Sequence, residues 1–226
     1  MTDFDSHPEC FPVETDSSIN NGPEKTSETD KTYTPSNAEF LSVVFKGRLG
    51  QARPLVVSFA GNPNKAPSNC WAGEVWREEQ NNVLHSANNF FSLADFMPDG
   101  EGNYRRKKNQ FHRLYAVMLD DVATKVSLDR MVLQPSWLLE TSAGNYQAGY
   151  ILREPITDAK SADALMQAII KAGLCDPGAG GPTTRLARLP IGINGKYEPA
   201  FQCQLAQWHP EKRYSAEEII TAFNLD

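Results

Sequence analysis

The sequence predicts a mixed α/β (α+β) sheet protein. Three observations predict it: short apolar runs bounded by Gly, Pro and Asn, one strongly amphipathic helix after several such runs, and a hairpin signature between two of them. The chain has 226 residues, 40% of them hydrophobic, enough for one large domain or a domain with a tail.

Residues 1–37 read as a disordered acidic tail or linker, because a stretch rich in Ser, Thr, Asn, Pro and charge cannot bury enough apolar surface to offset its ordering entropy. The tail holds eight acids and two bases, which accounts for the whole net charge of -6. The body, residues 38–226, is therefore close to neutral, and the acidic balance says nothing against a polyanionic partner. The start lacks a basic and then apolar leader, and no run reaches the roughly 18–20 apolar residues of a membrane span. A cytoplasmic protein with no membrane partner is expected. Cys10, Cys70, Cys175 and Cys203 form no CxxC pair. They read as reduced thiols, with a zinc site including His85 or His209 as the lesser alternative.

Along the body, "PLVVSFAG" (54–61) reads as a strand ending in a Gly-Asn-Pro turn. "CWAGEVWREEQ" is ambiguous. "FFSLADF" (90–96) alternates enough for a strand. A polar turn and the basic cluster "RRKKNQFHR" follow. "RLYAVMLDD" (113–121) is apolar on both faces, which predicts a strand covered on both sides. "SWLLETSAGNYQAGYIL" (136–152) predicts two strands around Ser-Ala-Gly-Asn. A helix is predicted over 157–174, with Ala162, Leu165, Met166, Ile169 and Ile170 on one face, Thr157 or Ser161 as its cap and Gly173 at its end. Its flanking strands suggest a βαβ-like passage. Residues 176–199 carry too much Gly and Pro for regular structure. A strand over 201–209 and a final helix opened by Ser215 and Glu218 complete the body. The ending suits a module cut from a longer protein, or a short natural chain.

The candidate chemistry starts at Asp120 and Asp121. Two carboxylates at a strand end sit at a sheet rim, where ligands gather; they suit a turn start or a divalent metal held against a triphosphate. Arg105, Arg106, Lys107, Lys108 and Arg113 precede that strand and suit a phosphate backbone as well as a solvated surface. The hairpin tip supplies Ser142, Asn145 and Gln147. Gly149 shares a face with Gln147, leaving space for a ligand on the sheet. Arg185, Arg188, Asn194 and Lys196 stand in the long Gly/Pro-rich segment, preceded by Asp176, and suit triphosphate or template contacts.

With these segments in order, residues 85–200 resemble the archaeo-eukaryotic primase superfamily, in its plasmid and phage Rep-type primase branch. The resemblance rests on "SANNFFSLADF", "LYAVMLDDVATK", "ETSAGNYQAGYIL" and "RLARLPIGINGK". It implies an RRM-like catalytic sheet with an N-terminal α/β module, and nucleotidyl transfer with Mg²⁺ or Mn²⁺ on a single-stranded DNA template. It further implies nucleoside triphosphates as substrates, a replicative helicase module as a partner, and a phage- or plasmid-encoded protein in the bacterial cytoplasm. The resemblance implies that Asp120 matches the second acid of the family's first motif, and Met118 stands where the first acid usually lies, so either Asp121 substitutes for it or one acid is missing. Ser142 and Gln147 fall where the family has a Ser-x-His nucleotide-binding motif, with Gln in place of the His. Asp176 and Glu140 are candidates for the remaining metal ligands, and Arg188, Asn194 and Lys196 match the basic closing element. Two other functions fit the same residues: single-stranded DNA or origin binding without synthesis, and metal-dependent nuclease action by Asp120, Asp121 and Glu140.

Overall fold

The computed structural model describes residues 33–48, 50–76, 83–176 and 180–225. The expected tail up to residue 32, and part of the ambiguous segment at 77–80, lie outside them. The first helix, α1 (Asn37–Val44), opens with a full capping box between Ser36 and Glu39. A boundary at residue 38 therefore falls inside a helix. Asn37 is buried, and its amide both donates to and accepts from the backbone of Ile191. At eight residues, α1 is too short to show a helical period in the sequence.

The strands follow in chain order: β1 (Arg53–Phe59), β2 (Glu74–Val75), β3 (Asn88–Phe96), β4 (Phe111–Val122), β5 (Trp137–Ser142) and β6 (Asn145–Ile156). Helix α2 (Ala159–Lys171) leads to β7 (Leu186–Arg188), β8 (Ile193–Asn194), β9 (Phe201–Gln202), β10 (Gln204–Trp208), β11 (Arg213–Tyr214) and α3 (Ala216–Phe223). The main sheet has the order β10-β5-β6-β4-β3-β1-β2, with every neighbouring pair antiparallel. β11 adds to it in parallel along β6, and β8 pairs with β9 in a separate ribbon.

The βαβ-like expectation is corrected here, since β7 runs antiparallel to β3 and α2 joins strands of opposite direction. The expected 201–209 strand breaks at Cys203, whose N–H bonds to Gly192 O. Asp158, rather than Thr157 or Ser161, caps α2. Gly173 ends it at φ +68°, with Leu174 N bonded back to Ile169 O and Gly173 N to Ile170 O. That is the paired closure a glycine at this position favours.

Both faces of the sheet are covered. All nine positions of β3 are buried, so its expected alternation is absent. On one face, Phe40 of α1 meets Phe91 and Trp137 edge-on, with ring centroids 5.4 and 5.3 Å away. Tyr150 on the other face meets Phe223 of α3 at 5.4 Å. The space expected above Gly149 is filled by the indole of Trp137. A Cβ on Gly149 would lie 2.0 Å from that ring. The glycine serves core packing, and the indole leaves no room for a ligand over it.

Candidate functional site

One edge of β3 is shared. Its C-terminal residues 94–96 pair with the start of β4, and residues 90–92 pair with β7. β4 therefore peels away from β3 toward its own C-terminal end, and a cleft opens between β4 and β7. A cavity of about 490 Å³ lies there, lined among others by Asp120, Asp121, Asp176, Gln147, Arg188 and Lys196.

The acid pair enters this cleft through a β-bulge. Leu119 pairs with Ala148 and Val122 with Tyr146, so Asp120 and Asp121 together oppose the single residue Gln147. Asp121 takes a left-handed conformation, φ +55°. In a regular strand the two carboxylates would point to opposite faces. Here Asp120 Oδ1 accepts from Gln147 Nε2 at 3.2 Å and Asp121 Oδ1 accepts from Asn145 Nδ2 at 3.1 Å. Gln147 and Asn145 lie two apart on β6 and share a face, so both acids face the cleft. Burial, reinforced by the Asp121 charge, pushes the Asp120 carboxyl above its usual range; the Asp121 N–H, Gln147 and Arg185 oppose this.

Gln147 is buried and uses both ends of its amide. Its Nε2 holds Asp120, and its Oε1 accepts the backbone N–H of Arg188 at 2.9 Å. It ties β4 to β7 across the mouth of the cleft. The Arg188 guanidinium is also buried, stacked 4.5 Å over the Phe90 ring. It donates to Ile193 O at 2.9 Å and to Asn194 Oδ1 at 2.8 Å. Asn194 in turn donates to Thr141 O. Burial lowers the Arg188 pKa. Lys196 is exposed on the rim, and Ser142 lines the same cavity.

Three placements correct the sequence expectations. Glu140 pairs with Tyr146 and faces away from Gln147; its Oε1 accepts from Gly144 N at 2.8 Å and steadies the hairpin turn. It does not line the cleft, so it is no metal ligand there. Arg185 lies beneath the rim, donating to Cys175 Sγ and Gly180 O, and does not line the cleft either. The basic run divides: Arg105, Lys107 and Lys108 are exposed, whereas Arg106 donates to Thr184 O and Trp71 O and staples two loops. Arg113 packs over Tyr115, seven positions before Asp120 on β4, or roughly 20 Å along the strand.

Three features of the site go beyond the sequence expectations. Lys125 pairs with Asp121 at 2.7 Å and Asp176 at 3.3 Å. Asn88 and Asn89, adjacent and both buried, bond to the backbone at Phe59, Gly61, Leu84 and Ile191, and Asn88 accepts from Gly195 N. They anchor the loop that carries Asn194 and Lys196. Their burial was legible in principle, since two amides in an apolar run demand partners. Trp71 and Phe90, 5.2 Å apart, form the wall opposite the acids.

Among the described residues no three His, Cys, Asp or Glu side chains already converge as a metal cage. The donors present are nonetheless hard carboxylate oxygens, and the juxtaposed charges at Asp120 and Asp121 favour a divalent cation. The described residues include no helix long and apolar enough to cross a membrane.

No family model matches the chain, and no curated protein matches it by sequence. Among solved structures it is similar to the AEP domain of the cyanophage S-2L primase-polymerase, with a TM-score of 0.55 and 14% identity over 81% of this chain and 94% of that one. It is also similar to the primase RepB′, with a TM-score of 0.54 and 13% identity over 84% of this chain and 62% of that one. The catalytic domain of the RepB′ primase in complex with initiator DNA gives a TM-score of 0.52 at 12% identity, over 83% and 93% of the two chains. At these identities the likeness is one of fold: the large antiparallel sheet with few helices is what this chain shares with those structures.

Proposed function

We propose that the chain is a replication primase or primase-polymerase domain, a nucleotidyltransferase that joins nucleoside triphosphates on a single-stranded DNA template. The observation that carries this reading is the bulge, which turns two adjacent carboxylates onto one face of a cleft whose far side carries basic and aromatic groups. Asp120 and Asp121 would hold Mg²⁺ or Mn²⁺, with Asp176 across from them. Such an ion, when bound, neutralises triphosphate charge and favours attack by a hydroxyl.

The chain's own residues do the rest. Gln147 fixes the Asp120 carboxylate and registers β7 against it. Arg188 lends positive potential from within the wall and shapes the loop through Asn194. Lys196 and the Ser142–Asn145 tip stand at the rim, where a triphosphate would enter. Arg105, Lys107 and Lys108 offer an exposed strip for a template backbone. The fold likeness to the cyanophage primase-polymerase domain and the primase RepB′ favours a replication role; the family resemblance read from the sequence adds a phage or plasmid setting in the bacterial cytoplasm and a helicase module as partner.

A second reading is a relative that binds single-stranded DNA without synthesis. It is favoured by one observation: Gln147, standing where the family resemblance implies a phosphate-binding His, has both ends of its amide engaged. Incubation with single-stranded template, Mg²⁺ or Mn²⁺ and ribo- or deoxyribonucleotides separates the two. Template-dependent oligomers support the first reading; DNA binding with no product under any condition supports the second.

A further inference from the structure

The bulge ends in a tight turn. Asp121 O accepts the N–H groups of Thr124, Lys125 and Val126, and Asp121 and Ala123 both hold positive φ. This turn folds the chain back, so that Lys125 reaches the acid it follows. Its ammonium lies 2.7 Å from Asp121 Oδ2 and 3.3 Å from Asp176 Oδ2. Asp121 lies four residues before this exposed lysine. The same ammonium also meets a carboxylate 51 residues away. Asp120 is not among its ion partners, and its Oδ1 is held by Gln147 and the Asp121 N–H.

The three acids thus make two unlike pairs. Asp120 and Asp121 repel, and among the described residues no cationic side chain bridges them, whereas Asp121 and Asp176 are already bridged by one. We propose that Lys125 takes the place of a second divalent cation between Asp121 and Asp176, so that the site loads a single divalent ion, at Asp120 and Asp121. The proposal rests on the metal-dependent reading of this cleft. Charge explains the exclusion. An ion entering between Asp121 and Asp176 meets a positive group already at contact distance from both, and the attraction of the two acids is partly satisfied.

The test is Mn²⁺ binding to the full chain, read as free Mn²⁺ by electron paramagnetic resonance, for wild type, Lys125→Met and Asp120→Asn, each checked for folding by circular dichroism. The expected result is one Mn²⁺ per wild-type chain and two per Lys125→Met chain. The second ion should bind on the order of tenfold or more tighter than any second ion in wild type. Two ions in both proteins, or one in both, would overturn the role of Lys125 while leaving the metal site standing. No Mn²⁺ bound by any of the three folded proteins would instead overturn the metal-dependent reading, and the proposal with it.

Discussion

Gln147 donates to Asp120 at 3.2 Å, and through its other amide atom it accepts the backbone N–H of Arg188. One buried side chain therefore sets the distance between the acid strand and the basic strand. Replacing it with Leu keeps the bulk but leaves the Arg188 N–H without a partner in the interior. Gln147→Leu should lower stability by about 1–3 kcal/mol, measured by urea unfolding. A midpoint equal to wild type would remove the bridge from the account.

Asp120 titrates above its ordinary value because it is buried beside a second acid. A carboxyl raised in the fold favours the folded state when protonated, and that contribution is lost as pH rises through its raised pKa. Asp120→Asn should therefore melt higher than wild type at neutral pH without metal. The gap should close as pH falls toward the unperturbed carboxylate value of about 3.9. Equal melting temperatures across that range would show that the acid is not strained.

Gly149 admits no side chain, since its Cβ would enter the Trp137 indole. Gly149→Ala should cost about 1–3 kcal/mol or more through overpacking, read as a drop in melting temperature. An unchanged melting temperature would mean that Trp137 can move aside.

The basic run should separate into two behaviours. Changing Arg105, Lys107 and Lys108 to Ala should weaken binding to any single strand about equally. It should also reduce the salt slope by roughly 0.7 for each phosphate no longer neutralised. Arg106→Ala should instead destabilise the fold, because its guanidinium staples the loops at Thr184 and Trp71. An unchanged salt slope in the triple variant would assign the strip to ordinary surface.

Elements with a long period were legible in the sequence. β4, the β5–β6 hairpin and α2 lie where their apolar patterns put them, and Ser215 with Glu218 marked α3. The acids were legible as a pair because like charges at a strand end need a reason. Their geometry was not, since a bulge leaves no trace in a period-two pattern. Glu140 shows the same limit. A regular hairpin with Ser142 opposite Asn145 would set Glu140 opposite Gln147, on the cleft face. A second bulge at Thr141 shifts the register by one and sends Glu140 to the other face. Lys125 reaches Asp176 only through the turn after β4, which no spacing rule announces.

The central claim is that the bulge makes Asp120 and Asp121 one cation-binding unit. The measurement that tests it most directly is the Mn²⁺-dependent shift in melting temperature of wild type, Asp120→Asn and Asp121→Asn. Asn tolerates the left-handed backbone at position 121, so both variants keep the fold. At about 100 times the dissociation constant, one bound ion adds about 2.7 kcal/mol, or roughly 5–10 °C for a chain of this size. The account predicts that shift in wild type and its loss in both variants alike. A full shift retained by either variant would contradict it.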